Sequence, residues 1–170
     1  MNLDIDIEDW PPADWNVLSL KAAAAAAKAA PELGNQRLCA SLLFTSDTQM
    51  HALNLEWRRQ DKPTNVLSFP MLTRSELKAL SPDGPPVMLG DLALAHETCA
   101  REAAQKSLPL GEHAAHLIIH GLLHLAGYDH EPSPQDADAM EALEIAALAS
   151  MGIADPYGDR DIASMHRSTQ

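Results

Sequence analysis

A chain of 170 residues with 24 acids against 12 Lys and Arg carries a formal net charge of −12, which argues against generic nucleic-acid binding because that needs a basic footprint. The hydrophobic fraction of 46% suits one soluble globular domain that buries a core without disulfides, and no apolar run reaches the length of a membrane span. Cys39 and Cys99 lack CxxC spacing, so both read as small core residues of a reducing, cytoplasmic compartment, and the acidic N-terminus lacks the basic and apolar regions of a secretory signal.

Leu3, Ile5 and Ile7 alternate with Asp4, Asp6 and Glu8, which predicts a half-buried strand. Trp10-Pro11-Pro12 ends it. A helix is predicted over 14–30, with Asp14 as N-cap, an alanine run in the middle, and Pro31 and Gly34 as stops. Residues 37–45 read as a buried strand. Ser46 or Asp47 then caps a helix with Met50, Leu53 and Trp57 on one face. That face is expected in the core, with an interface as the alternative. Residues 64–70 read as a short extended stretch closed by Pro70, and 71–87, rich in Pro, Gly and Asp, as a mobile loop. A strand is predicted over 88–95. A long helical pattern follows over 97–126, interrupted around Pro109. The last helix is predicted over 133–150, with Pro134 near its start and Gly152 after it. Residues 153–170 are polar and aperiodic and read as a flexible tail.

This order of elements predicts an α+β fold, with one small mixed β-sheet packed with helices in a single domain over 1–152. Charge is uneven along the chain. Residues 1–35 carry six acids against two Lys, and residues 131–170 carry eight acids against two Arg. Residues 51–80 carry five Lys or Arg against three acids, which makes this the one mildly basic stretch.

The histidines carry the chemical argument. His120 and His124 are spaced i, i+4, so on a helix both rings leave one face and can share a zinc ion. Gly127 suits the left-handed turn that ends such a helix and brings His130 back to the same ion. Three neutral nitrogen ligands leave a fourth position open to water, as in a catalytic zinc site. The zinc site is therefore expected on a helix and the turn that follows it. The spacing also matches the metzincin protease pattern, in which a Glu after the first His acts as general base. Here that position is Gly121, so a peptidase is disfavoured. His113 and His116 are left out of the metal set. His116 reads as a locally packed or hydrogen-bonded residue, with a supporting role behind His120 as the alternative.

Residues 120–130 (HGLLHLAGYDH) resemble the H-G-x-L-H-L-x-G-Y-D-H motif of the YbeY family of single-strand-specific endoribonucleases. Residues 53–70 (LNLEWRRQDKPTNVLSFP) resemble that family's L-N-x-x-[YW]-R-x-x-D-x-P-T-[ND]-V-L-S-F-P, and Gly90-Asp91-Leu92 resembles its G-D-[IL] strand. The resemblance covers residues 38–150. It implies a cytoplasmic bacterial enzyme of 16S rRNA processing and ribosome quality control. It implies one zinc per chain held by His120, His124 and His130, and places the family's functional arginine on Arg58. The implied partners are single-stranded RNA and ribosomal proteins or assembly factors; the oligomeric state stays open. Arg59 and Lys62 read as surface charges, with a weak RNA contact as the alternative. The proton acceptor is unassigned, with Asp129 beside a ligand and Asp91 at the start of a strand as candidates to orient a ligand or a water. Asn65 and Ser68 read as turn and strand residues. Two other functions remain: a ribosome assembly factor whose zinc is mainly structural, and a metalloprotease-like hydrolase.

Overall fold

The alternating and continuous apolar runs form four strands, β1 (Asn2–Ile7), β2 (Leu38–Thr45), β3 (Val66–Pro70) and β4 (Val87–Ala95). In the computed structural model, which describes residues 1–129 and 133–158, they pair in the order β1-β2-β4-β3. β1 runs parallel to β2 and β2 parallel to β4, while β3 is antiparallel to β4. The sheet is therefore mixed, with β1 and β3 as its edges. Among the described residues six α-helices accompany it: α1 (Trp15–Ala29), α2 (Asp47–Arg58), α3 (Arg74–Ala79), α4 (His96–Gln105), α5 (Leu110–Leu125) and α6 (Pro134–Ser150). Both predicted caps hold, with Ser46 rather than Asp47 at the second: the side chains of Asp14 and Ser46 accept from the backbone N–H groups of Val17 and Gln49, and Ser133 caps α6 in the same way through Asp136 N–H. The fold is the expected α+β arrangement of a small mixed sheet and helices.

The main core lies on one face of the sheet. Leu42, Phe44, Leu92 and Leu94 pack there with Ala22 and Ala26 of α1, Ile118 and Leu122 of α5, and Met140 and Leu148 of α6. α5 is apolar nearly all round and is buried along most of its length, the expected place for such a helix. Among the described residues the other face is covered by α2, through a small cluster of Met50, Leu67, Ala93 and Ala95. That thin cover corrects the expectation for the α2 face. Met50 is fully buried and Leu53 half-buried, but Trp57 is 65% exposed.

The stretch 71–87 also differs from expectation. It contains α3, started by a reciprocal capping box in which Thr73 and Glu76 each bond the other's backbone N–H. Its remainder is tied to the start of β2, since Arg37 donates to the carbonyls of Pro85 at 3.0 Å and Ser81 at 3.1 Å. Neither cysteine forms a disulfide. Cys99 is buried, and burial, reinforced by the charges of Glu102 and Asp47, pushes its thiol up to about 12; it stays protonated and inert. Cys39 is half-buried. Among the described residues no helix is long and apolar enough to cross a membrane. Of the stretch read as a tail, Tyr157 contacts α5 and α6; residues 159–170 lie outside the described residues.

Candidate functional site

α5 is held between the sheet and α1, and its last two turns carry His120 and His124, both half-buried. Each ring is gripped at Nδ1. His120 Nδ1 lies 2.9 Å from Glu144 Oε1. A carboxylate only accepts, so this nitrogen carries the proton and Nε2 is the nitrogen with the lone pair. His124 Nδ1 lies 3.1 Å from the Ser68 hydroxyl on β3. The two rings are thus oriented from opposite sides, one by α6 and one by the sheet edge.

Glu144 is the buried anchor of this arrangement. It has no exposed surface and sits on α6 between Met140 and Leu148, one turn to either side. His116 Nε2 donates to Glu144 Oε1 at 3.2 Å, and the Tyr157 hydroxyl donates to Oε2 at 3.0 Å. Burial alone would raise the carboxyl, but the hydrogen bonds from His116 and His120 outweigh it and hold Glu144 down at about 2. His116 therefore supports His120 through a shared carboxylate, the alternative role considered for it above. Sequence reasoning missed Glu144. Its signal was an acid on the apolar face of the last helix, at i+4 from Met140 and i−4 from Leu148.

The turn after α5 takes the predicted form. Gly127 has φ +95, and a Cβ there would lie 2.6 Å from the Cβ of Arg74, so both conformation and space require glycine. Arg74 donates to the Ala126 carbonyl at 2.9 Å and stacks 4.3 Å over the Tyr128 ring. His130 lies outside the described residues. Among those described, no group of three or more His, Cys, Asp or Glu is arranged to hold a metal. The chemistry of the donors present nevertheless fits one. A metal-binding histidine typically gives its other nitrogen to a carboxylate or other oxygen partner; the Nδ1 of each ring faces such an oxygen, so Nε2 of each is the atom that would ligate.

Ser68 links the histidines to Arg58. Its hydroxyl meets His124, and its carbonyl accepts from Arg58 Nη2 at 3.1 Å. Arg58 closes α2 at the free edge of β3, where a cavity of about 530 Å³ is lined by Arg58, Lys62, Gln60, Asn54 and Thr64. A smaller cavity of about 260 Å³ borders His124, Arg74, Tyr128 and Asp129. Asp91 does not join the histidines. Leu92 packs on Gly121 of α5, so its neighbours Asp91 and Ala93 face the other side of the sheet. There Asp91 accepts a hydrogen bond from Ser41.

Gly121, where the protease pattern has its Glu, also has a packing role. A Cβ there would sit 2.7 Å from Leu92 Cδ2. Gly121→Glu is expected to cost about 3 kcal/mol or more, through overpacking and a buried carboxylate, and to confer no cleavage of casein. Chemical denaturation and a protease assay check both.

A family model described as Endoribonuclease YbeY matches residues 12–152. A protein named Endoribonuclease YbeY from Erythrobacter litoralis is 62% identical over 160 residues, covering 94% of this chain and 99% of its own. Another of that name, from Novosphingobium aromaticivorans, is 55% identical, covering 94% and 97%. The solution structure of a Thermotoga maritima protein shares the fold, with a TM-score of 0.54 at 21% identity over 87% of this chain and 91% of that one. On these matches, and with the histidine motif on α5 and the Arg58 segment on α2 and β3, the chain belongs to the YbeY endoribonuclease family.

Proposed function

We propose that the protein is a zinc-dependent endoribonuclease specific for single strands, acting in the cytoplasm in 16S rRNA maturation and ribosome quality control. The observation that carries this reading is the connection of Arg58 to His124 through one residue, Ser68. It sets a phosphate-binding cation beside a candidate metal ligand. His120 and His124, with His130, would hold one zinc. When bound, zinc supplies Lewis-acid polarisation of a phosphoryl oxygen and a water of lowered pKa.

The chain's own residues supply the rest. Glu144 and Ser68 fix the two rings, so the ligating nitrogens need no reorganisation when substrate arrives. Arg58 presents a planar guanidinium that can grip two phosphate oxygens and stabilise charge that develops there. Lys62 shares its cavity and adds an unspecific backbone contact. This local cationic edge answers the net charge of −12. Ribosomal proteins or assembly factors would bring the enzyme to its RNA.

Arg58→Ala is expected to lower kcat/KM on a single-stranded RNA by about 10²-fold, with Arg58→Lys recovering part of the loss. An unchanged rate in Arg58→Ala would remove the arginine from the mechanism. The assembly-factor reading predicts something else: the histidine variants would lose the folded structure itself.

A further inference from the structure

We infer that the open face of the sheet holds a base-binding subsite for the RNA, in which one unpaired base stacks on Trp57 and meets the carboxylate of Asp91; this rests on the nuclease reading above. The site is a groove of about 420 Å³ between α2 and the sheet, lined by Trp57, Leu53, Phe69, Met71, Ser41 and Asp91. It exists because α2 covers that face only at its N-terminal end. Along one face of the helix Met50 is buried, Leu53 half-buried and Trp57 65% exposed. An indole left in water at the mouth of an apolar groove is a stacking platform, since every base offers a π-face.

Position ties the groove to the phosphate grip. Trp57 immediately precedes Arg58, and Arg58 bonds the carbonyl of Ser68 on the edge strand β3. Ser68 turns its side chain to His124, while the next residue, Phe69, turns to the groove. A single strand crossing the edge of β3 at Arg58 thus has the histidines on one side and the groove on the other. A duplex cannot enter, because its bases are paired and stacked.

Asp91 gives the groove chemistry beyond stacking. It is the one charged residue lining it, and Ser41 donates to its Oδ1, which fixes the carboxylate as an acceptor. An acceptor-only group favours bases with an exocyclic amino group, namely adenine, cytosine and guanine. Uracil offers no such group and places carbonyl oxygens beside its one N–H.

Trp10 and Trp15 are buried in the core, so a change in intrinsic fluorescence on adding RNA reports Trp57. The experiment mixes the metal-loaded protein with hexamers of C, A or U and reads the fast fluorescence change, with anisotropy of labelled RNA and steady-state cleavage in parallel. Quenching by C and A hexamers is expected, with the U hexamer bound about 10-fold more weakly. Trp57→Ala should abolish the quench and raise KM about 10-fold with kcat little changed, Trp57→Phe should recover most of the affinity, and Asp91→Asn should erase the discrimination against U. RNA that binds and is cut while Trp57 fluorescence stays unmoved overturns the subsite and leaves the nuclease reading standing. The same holds if Trp57→Ala leaves KM unchanged but turns a dimer into a monomer in sedimentation, since the groove then takes a second copy of the chain. No binding and no cleavage by any hexamer overturns both.

Discussion

His124→Ala should lose RNA cleavage by on the order of 10³-fold or more while the protein keeps its cooperative thermal transition. The ring lies at the last turn of α5, half-buried, with its Nδ1 against the Ser68 hydroxyl. Truncating it leaves the apolar face of α5, which carries Ile118 and Leu122, intact. The fold therefore has little reason to fail, whereas a metal left with two of the three proposed ligands would bind weakly and in the wrong geometry. Circular dichroism, metal content and cleavage, measured on one preparation, separate the outcomes. Loss of the thermal transition together with the activity would favour the assembly-factor reading with its structural zinc.

Glu144 is expected to matter almost as much, though it touches no substrate. Glu144→Gln keeps the volume and one acceptor but removes the charge that His116, His120 and Tyr157 all address. Zinc affinity should fall about 10- to 100-fold, the usual cost of removing a carboxylate behind a metal-binding histidine. Competition against a chromophoric chelator reads that fall directly. Glu144→Ala should do more and cost about 3–5 kcal/mol of stability, because it empties a fully buried position and removes the carboxylate that two histidines and a tyrosine hydroxyl share. A chelator titration in which Glu144→Gln binds zinc as tightly as the unaltered chain would show that the carboxylate serves folding alone.

Much of this site is written locally. His120 and His124 at i, i+4 on an apolar helix, and a glycine where the helix must turn back, depend on helical geometry alone. The caps at Asp14, Ser46 and Ser133 are equally local. What the sequence withholds is what comes from elsewhere in the chain. Glu144 reaches His120 across 24 residues and Ser68 reaches His124 across 56, and no periodicity reports such pairings. Asp91 shows the converse. Its place at the start of a strand made it a candidate to orient a ligand or a water, but strand alternation, fixed by Leu92 packing on Gly121, turns it to the opposite face. The missed helix α3 had a legible signal in Thr73 and Glu76, overridden by the Pro- and Gly-rich residues that follow. Trp57 sat on a correct helical face, but how far that face stays covered depends on how α2 meets the sheet.

The most direct measurement is cleavage of a labelled single-stranded RNA by protein of known metal content, before chelation, after it, and after zinc is returned, with a duplex of the same sequence beside it. The account predicts about one zinc per chain, cleavage of the single strand only, loss on chelation and recovery on reloading. Undiminished cleavage by metal-free protein, or a chain that takes up no divalent metal at all, would contradict it.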